Sequence, residues 1–180
     1  MEYFGPEWTN VETEQTQIPA QDGPYGHHEV KLDDKNRIKL PSRFRNHLSL
    51  RFPNERLFIT SIDLTRGRLY PISVWKRNLE ILENVDGEED GERAEMFIFR
   101  ANKYGLDQAV DEQARITVPP KLRELLNIGP GAGEDAQRVW LQWTNDGIDI
   151  YNKSEYDRLS GESDQPRPDD KGFLKRLKVR

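Results

Sequence analysis

The sequence predicts an α+β fold in which one short motif is used twice. The first observation is the motif itself. Asp33-Asp34-Lys35-Asn36-Arg37-Ile38-Lys39-Leu40-Pro41-Ser42-Arg43-Phe44-Arg45 and Asp111-Glu112-Gln113-Ala114-Arg115-Ile116-Thr117-Val118-Pro119-Pro120-Lys121-Leu122-Arg123 share one form: Asp-x-x-x-Arg, apolar, x, apolar, Pro, then a basic helical stretch. The second is its spacing. The differences 111 − 33, 115 − 37, 119 − 41 and 123 − 45 all equal 78 with no gap, which marks an internal duplication. The third is that apolar residues between the copies recur at helical spacing, so two strand-turn-strand-helix halves flank a helical hairpin. Two such halves in one chain can pair about an internal pseudo-twofold axis, as a symmetric dimer does.

Taken in order, residues 1–26 are rich in Gln, Thr, Glu, Gly and Pro and read as a weakly ordered leader. Residues 29–32 and 37–40 are short strands around the polar turn 34–36, and Pro41 opens a helix through Leu48. Strands follow at 57–61 and 68–71. Val74, Trp75, Leu79, Ile81 and Leu82 predict a helix over 73–85 with Ser73 as its N-cap. Residues 86–91 are a solvated joint to a second helix over 92–104. The second half repeats the order, with strands at 108–110 and 115–118 and a helix from Pro119 to Leu126, stopped by Asn127-Ile128-Gly129-Pro130. Strands 139–143 and 148–151 form a hairpin across Asn145-Asp146-Gly147. A short helix at 154–159 precedes a Pro- and Asp-rich stretch and a basic end, 173–180, expected to become helical on binding.

Composition narrows the function classes. Only 34% of the 180 residues are hydrophobic and 33% are charged, so the core must come from the densest runs, 57–62, 96–99 and 139–143. With no cysteine, there is no disulfide framework, thiolate nucleophile or thiolate zinc site, and a cytoplasmic setting is expected. Neither a signal-peptide pattern nor a membrane-length apolar run is present, so no membrane partner is expected. The net charge of −5 argues against a nucleic-acid partner, but its distribution argues the other way. Residues 31–51 carry seven cations against Asp33 and Asp34, a local balance of 7 − 2 = +5. Acidic residues gather at 80–95 and beyond Glu155, which leaves one basic face for phosphates.

The paired motifs, together with Leu69-Tyr70-Pro71 followed by Trp75, resemble the MraZ family, bacterial transcription regulators of the swapped-hairpin AbrB barrel class. The resemblance covers roughly residues 27–159. It implies a first SpoVT-AbrB-like unit at 27–75, linking helices at 76–104, a second unit at 105–151 and a short helix with a polar tail at 152–180. It further implies two swapped-hairpin units forming a pseudo-twofold barrel with flanking helices. The implied function is repression of the division and cell-wall gene cluster. The implied partners are double-stranded DNA with repeated boxes and further copies of the chain in a ring, and the implied location is the nucleoid. The chain departs from the family pattern immediately before each motif arginine, where glycine is usual and Asn36 and Ala114 stand here. If that position requires a positive φ, Ala114 costs about 1 kcal/mol there. The second motif also has Gln113 where the first has Lys35, and the leader is longer than usual.

Arg37 and Arg115 are the candidate readers of DNA, since a guanidinium pairs bidentately with guanine O6 and N7 or grips a phosphate. The alternative is that each pairs with its own motif aspartate and holds the turn. Asp33 and Asp111 are read as turn-shaping, because an anion repels DNA while a turn aspartate accepts backbone N–H groups; Asn36 shares that role. Lys35, Lys39 and Arg43 are candidate phosphate contacts, with a solvated face as the alternative for Lys39 and Arg43. Arg45 and Arg123, in register, are open to phosphate contact, helix capping or subunit bridging. Trp75, Trp140, Trp143, Phe97 and Phe99 are expected in the core or an interface. His27 and His28, adjacent in a strand, point to opposite faces and do not make a metal site. No phosphate loop, nucleophile elbow or catalytic carboxylate pair stands out, so neither an enzyme, a cofactor nor a small-molecule substrate is expected. Two other readings remain open at this point: an oligomeric scaffold without DNA binding, and an AbrB-type antitoxin whose tail holds a partner protein.

Overall fold

A computed structural model describes residues 23–179; most of the expected leader, residues 1–22, lies outside the described residues. In chain order the elements are β1 (His28–Lys31), β2 (Arg37–Lys39), α1 (Ser42–Arg51), β3 (Leu57–Thr60), β4 (Gly67–Pro71), α2 (Ile72–Glu83), α3 (Glu88–Tyr104), β5 (Leu106–Gln108), β6 (Arg115–Thr117) and α4 (Pro120–Leu126). A 3-10 turn at Asp135–Gln137 follows, then β7 (Arg138–Thr144), β8 (Gly147–Asn152), α5 (Lys153–Ser163) and α6 (Asp170–Arg176). This is the mixed α+β architecture that the sequence predicts.

The strands form a six-stranded antiparallel sheet in the order β1-β7-β8-β4-β3-β5 and a separate two-stranded ribbon, β2-β6. Exchanging the strands of the first half for those of the second leaves this order unchanged. The strands flanking each motif turn do not pair as a simple hairpin. A single bridge, Leu32 with Ile38, joins β1 to β2, while β1 crosses to β7 and β5 crosses to β3. Each half therefore completes the sheet of the other.

The reason lies in the apolar positions that the duplication repeats. Ile38 and Ile116, Leu40 and Val118, Phe44 and Leu122, Leu48 and Leu126 are all buried in one cluster with Ile59, Leu69, Leu141, Ile148 and Ile150. Burying each such side chain stabilises the fold by about 1.5–3 kcal/mol, so pairing the two motifs across a shared core satisfies both at once. A second cluster, Phe58, Tyr70, Val74, Trp75 and Ala101, lies where β3 and β4 meet α2 and α3. Gly105 makes that junction possible, since a Cβ there would stand 2.4 Å from Phe58 Cζ and 2.5 Å from the Ala101 carbonyl. Asp149 in β8 is buried and pairs at 2.7 Å with Arg68 Nη1 of β4, joining the halves at the centre of the sheet.

Several boundaries differ from the sequence expectation. Each of α1, α2 and α4 follows a proline, whose fixed φ leads the chain into the first turn. In α2 that displaces Ser73 from the N-cap into the helix, and the Glu55 carboxylate instead accepts the Ser73 N–H at 3.0 Å. Helix α3 begins at Glu88, inside the expected joint, because Glu88, Glu89 and Asp90 fill its first turn and complement the helix dipole. The run 96–99 is not core: Met96 and Phe99 are 60% and 66% exposed, because α3 turns Ala94 and Ala101 inward. Helix α5 runs on to Ser163, capped by Asn152 Oδ1 accepting from the Glu155 N–H at 2.8 Å and braced by Arg158 between Glu155 and Glu162. Part of the basic end is already helical as α6.

Candidate nucleic-acid interface

The Asp-x-x-x-Arg spacing has a direct geometric cause. In the first turn Asp33 Oδ1 accepts the backbone N–H groups of Lys35 and Arg37, both at 2.9 Å, while Oδ2 receives Arg37 Nε at 2.8 Å and Nη2 at 2.6 Å. The second turn repeats it: Asp111 Oδ1 accepts from the N–H of Gln113 at 2.9 Å and of Arg115 at 2.8 Å, and Oδ2 from Arg115 Nε at 2.7 Å. One carboxylate thus closes the backbone loop and holds the arginine. Backbone bonds match as well: Asn36 N–H donates to the Asp33 carbonyl at 2.8 Å, and Ala114 N–H to that of Asp111 at 2.9 Å. Both Asn36 and Ala114 have φ of 60°, so the turn does require the left-handed conformation.

These contacts set the charge state of the turns. The Arg37 guanidinium, then the backbone N–H groups of Arg37 and Lys35, hold the Asp33 carboxyl at about 2 against an ordinary 3.8. Asp111 is also lowered, first by the Arg115 backbone N–H and then by its side chain. The pairing alternative raised by the sequence is thus the geometry of the free protein. It leaves each arginine partly open, with side-chain exposures of 22% for Arg37 and 25% for Arg115.

The ribbon decides which way these groups face. Its register sets Arg37 opposite Thr117, Ile38 opposite Ile116, and Lys39 opposite Arg115. Successive side chains alternate across a strand, so burial of Ile38 and Ile116 turns Arg37, Lys39, Arg115 and Thr117 to the outer face. Three of those four side chains are basic. Lys35 is exposed on the first turn and Arg43 is exposed in the first turn of α1. Neither their side chains nor that of Lys39 makes a hydrogen bond or ion pair with a described residue. Arg51, by contrast, is committed to Asp146 of the β7–β8 turn at 2.7 Å and is withdrawn from the basic stretch. His27 packs on Tyr156 and His28 on Phe44; among the described residues no group of three or more His, Cys, Asp or Glu is placed to hold a metal. Among them, too, no helix is long and apolar enough to cross a membrane.

Two contacts beside the turns were not legible in the sequence. Gln108 clamps the outer edge of β6, its Oε1 accepting the Thr117 N–H at 2.6 Å and its Nε2 donating to the Thr117 carbonyl at 2.8 Å. Its repeat counterpart is Val30 (108 − 78 = 30), which cannot do this for β2. Arg123 reaches from α4 to the first turn, its Nη1 donating to Asn36 Oδ1 at 2.9 Å and its Nε to the Val118 carbonyl at 3.2 Å. Arg45, its counterpart, is exposed and makes no such contact with a described residue, since Ala114 stands where Asn36 does in the other turn.

Residues 25–93, which contain the first motif, match the profile of the family described as "MraZ protein, putative antitoxin-like". The protein named transcriptional regulator MraZ of Koribacter versatilis is 31% identical over 121 residues, covering 66% of this chain and 77% of that protein. The protein of the same name in Pelobacter propionicus is 26% identical over 167 residues, covering 85% of this chain and 96% of its own length. That of Roseiflexus sp. strain RS-1 is 31% identical over 108 residues, or 59% of this chain and 70% of the relative. Similarity on that scale extends well beyond a single motif, and the chain belongs to the MraZ family.

Proposed function

We propose that this chain is a DNA-binding transcriptional regulator that lays the outer face of the β2–β6 ribbon against duplex DNA. The regulators named above support the class. One observation carries the site: Arg37, Lys39 and Arg115 share the ribbon face opposite Ile38 and Ile116. A two-stranded ribbon is narrow enough to enter the major groove, where arginine reads guanine edges. Lys35, Lys39 and Arg43 neutralise phosphates, which sets affinity and register. Asp33, Asp111 and Asn36 shape the turns that present the arginines.

The finer architecture in this reading is two SpoVT-AbrB-like units, residues 27–75 and 105–151, closing a pseudo-twofold barrel; residues 76–104 link them and 152–180 form the helical and polar end. The order β1-β7-β8-β4-β3-β5, unchanged when the halves are exchanged, supports it. Several copies assemble, as a ring, on repeated boxes, because linked weak contacts gain affinity through effective concentration. The chain represses the division and cell-wall gene cluster by occupying its promoter, and so works in the cytoplasm on the nucleoid as a regulator rather than an enzyme.

Fluorescence anisotropy against the duplex upstream of its own gene tests the reading. Saturable binding that weakens out of proportion when one box is scrambled, with light scattering showing more than a dimer, is the expected result. Assembly without affinity for any duplex at low salt would replace it by the scaffold.

A further inference from the structure

The two turns share a backbone but not their chemistry, and the difference lies at one contact. Arginine is a donor at every nitrogen, so the atom of Asn36 that meets Arg123 Nη1 at 2.9 Å must be the carbonyl oxygen. That fixes the orientation of the Asn36 amide. The Nδ2 end is then directed away from Arg123, and it neither bonds to a described residue nor ranks among the buried unpartnered polar atoms. It is a two-hydrogen donor, unpaired among the described residues, on a half-buried residue of the turn beside Arg37. Gly129, at a φ of 130°, keeps the loop after α4 against this pair; a Cβ there would meet Asn36 Oδ1 and Arg123 Nη1 at 3.5 Å. The second turn has a methyl group at the same place, and Arg45 stays exposed.

We propose that Asn36 is a further specificity-determining residue, presenting Nδ2 to a hydrogen-bond acceptor on a base edge in the major groove, with Arg123 as the residue that positions it. The inference rests on the DNA-binding reading above and assigns the first turn a base contact that the second cannot make. An asparagine free at both ends reads adenine through N6 and N7 together. With Oδ1 already accepting from Arg123, Nδ2 alone needs only an acceptor, namely guanine O6 or N7, thymine O4 or adenine N7, and finds none on the cytosine edge. The chain is therefore asymmetric as a reader although nearly symmetric as a fold.

The test uses the full chain, the best duplex selected from a randomised pool, and a scrambled duplex of the same composition. Asn36→Gly keeps the left-handed turn, because glycine adopts positive φ freely, and removes the donor. It should lower affinity for the selected duplex about tenfold while leaving the scrambled duplex and the salt slope unchanged. Arg123→Ala should shift the selected-to-scrambled ratio in the same direction, and the double variant should be no worse than Asn36→Gly alone. Melting and light scattering of each variant separate a folding defect from a reading defect. Equal loss on both duplexes would mean a phosphate contact and would overturn the inference, as would an unchanged ratio in Asn36→Gly. A wild-type chain that does not distinguish the duplexes would overturn the DNA reading and this inference together, whereas failure in the variant alone overturns only the inference.

Discussion

Ile38 and Ile116 face each other as Cα partners across the β2–β6 ribbon, and their separation, 116 − 38 = 78, is the offset of the duplication itself. Equivalent residues can oppose one another only where an axis relating the two halves passes between them. Around this pair the bonding is balanced: Leu40 N–H donates to the Ala114 carbonyl at 2.8 Å, and Val118 N–H to that of Asn36 at 3.0 Å.

Both isoleucines are essentially sealed, 0% and 1% exposed, so either truncated to alanine leaves a cavity at the same place. Ile38→Ala and Ile116→Ala should each destabilise the chain by about 2–5 kcal/mol in urea titration. Their costs should be similar, and the double variant should depart from additivity because the two side chains share one site. A large cost for one and none for the other would mean that the core is not shared.

Arg37→Ala should lower the preference for the selected duplex by about ten- to a hundredfold, with only a small fall in melting temperature because the ion pair is partly solvated. Arg115→Ala should do less, since Gln113 and Ala114 flank it where Lys35 and Asn36 flank Arg37. A double-mutant cycle on Asp33 and Arg37, read by melting and by DNA binding, separates holding from reading. Strong coupling in melting with unchanged DNA preference would reduce Arg37 to a turn brace.

Lys35→Ala, Lys39→Ala and Arg43→Ala should each weaken selected and scrambled duplexes alike and lower the slope of log K against log salt by about one. Affinity measured across a salt series checks this. A variant that changes preference without changing slope would be reading bases.

Asp33 gives a pH dependence of known sign. Its folded value, about 2, lies below the ordinary 3.8, so its contribution to stability is fully present above 3.8 and is lost as pH falls through about 2. The stability difference between wild type and Asp33→Asn should be constant at neutral pH and close over that acid window. A carboxyl-carbon NMR titration of Asp33 should place its midpoint near 2; a midpoint at 3.8 would contradict the contacts described.

Ala114 holds φ at 60°, a conformation that costs a residue with a Cβ about 1–2 kcal/mol. Ala114→Gly relieves this but gives up a buried methyl group worth about 0.8 kcal/mol. The net expectation is a gain of under about 1 kcal/mol, visible as a raised urea midpoint at unchanged m-value.

Much of this was legible in the sequence, and the exceptions share a cause. The motif offset, the strand alternation around Ile38 and Ile116, the helices that follow Pro41 and Pro119, and the turn at Asn145-Asp146 are local signals, and the structure carries them. What was not legible depends on which distant segment a residue meets. Alternation places Val30 and Glu29 on opposite faces but does not say that β1 will pair with β7. Periodicity marks Met96 and Phe99 as apolar helix positions without saying whether that side of α3 is covered. The Arg123–Asn36 bond spans 123 − 36 = 87 positions, and only the shared offset of their counterparts, Arg45 and Ala114, reveals afterwards that the symmetry is broken there.

The exchange of β1 and β5 between halves also governs how the chain comes into being on the ribosome. His28 finds its partner in Leu141, 141 − 28 = 113 positions later, so the first strand emerges long before the strand that completes it. Contacts this remote in sequence slow folding, because loop closure must precede any gain from pairing. Throughout that interval β1 offers an unpaired edge, and its hydrophilic ends, His28, Glu29 and Lys31, are the side chains suited to discourage wrong pairing while it waits.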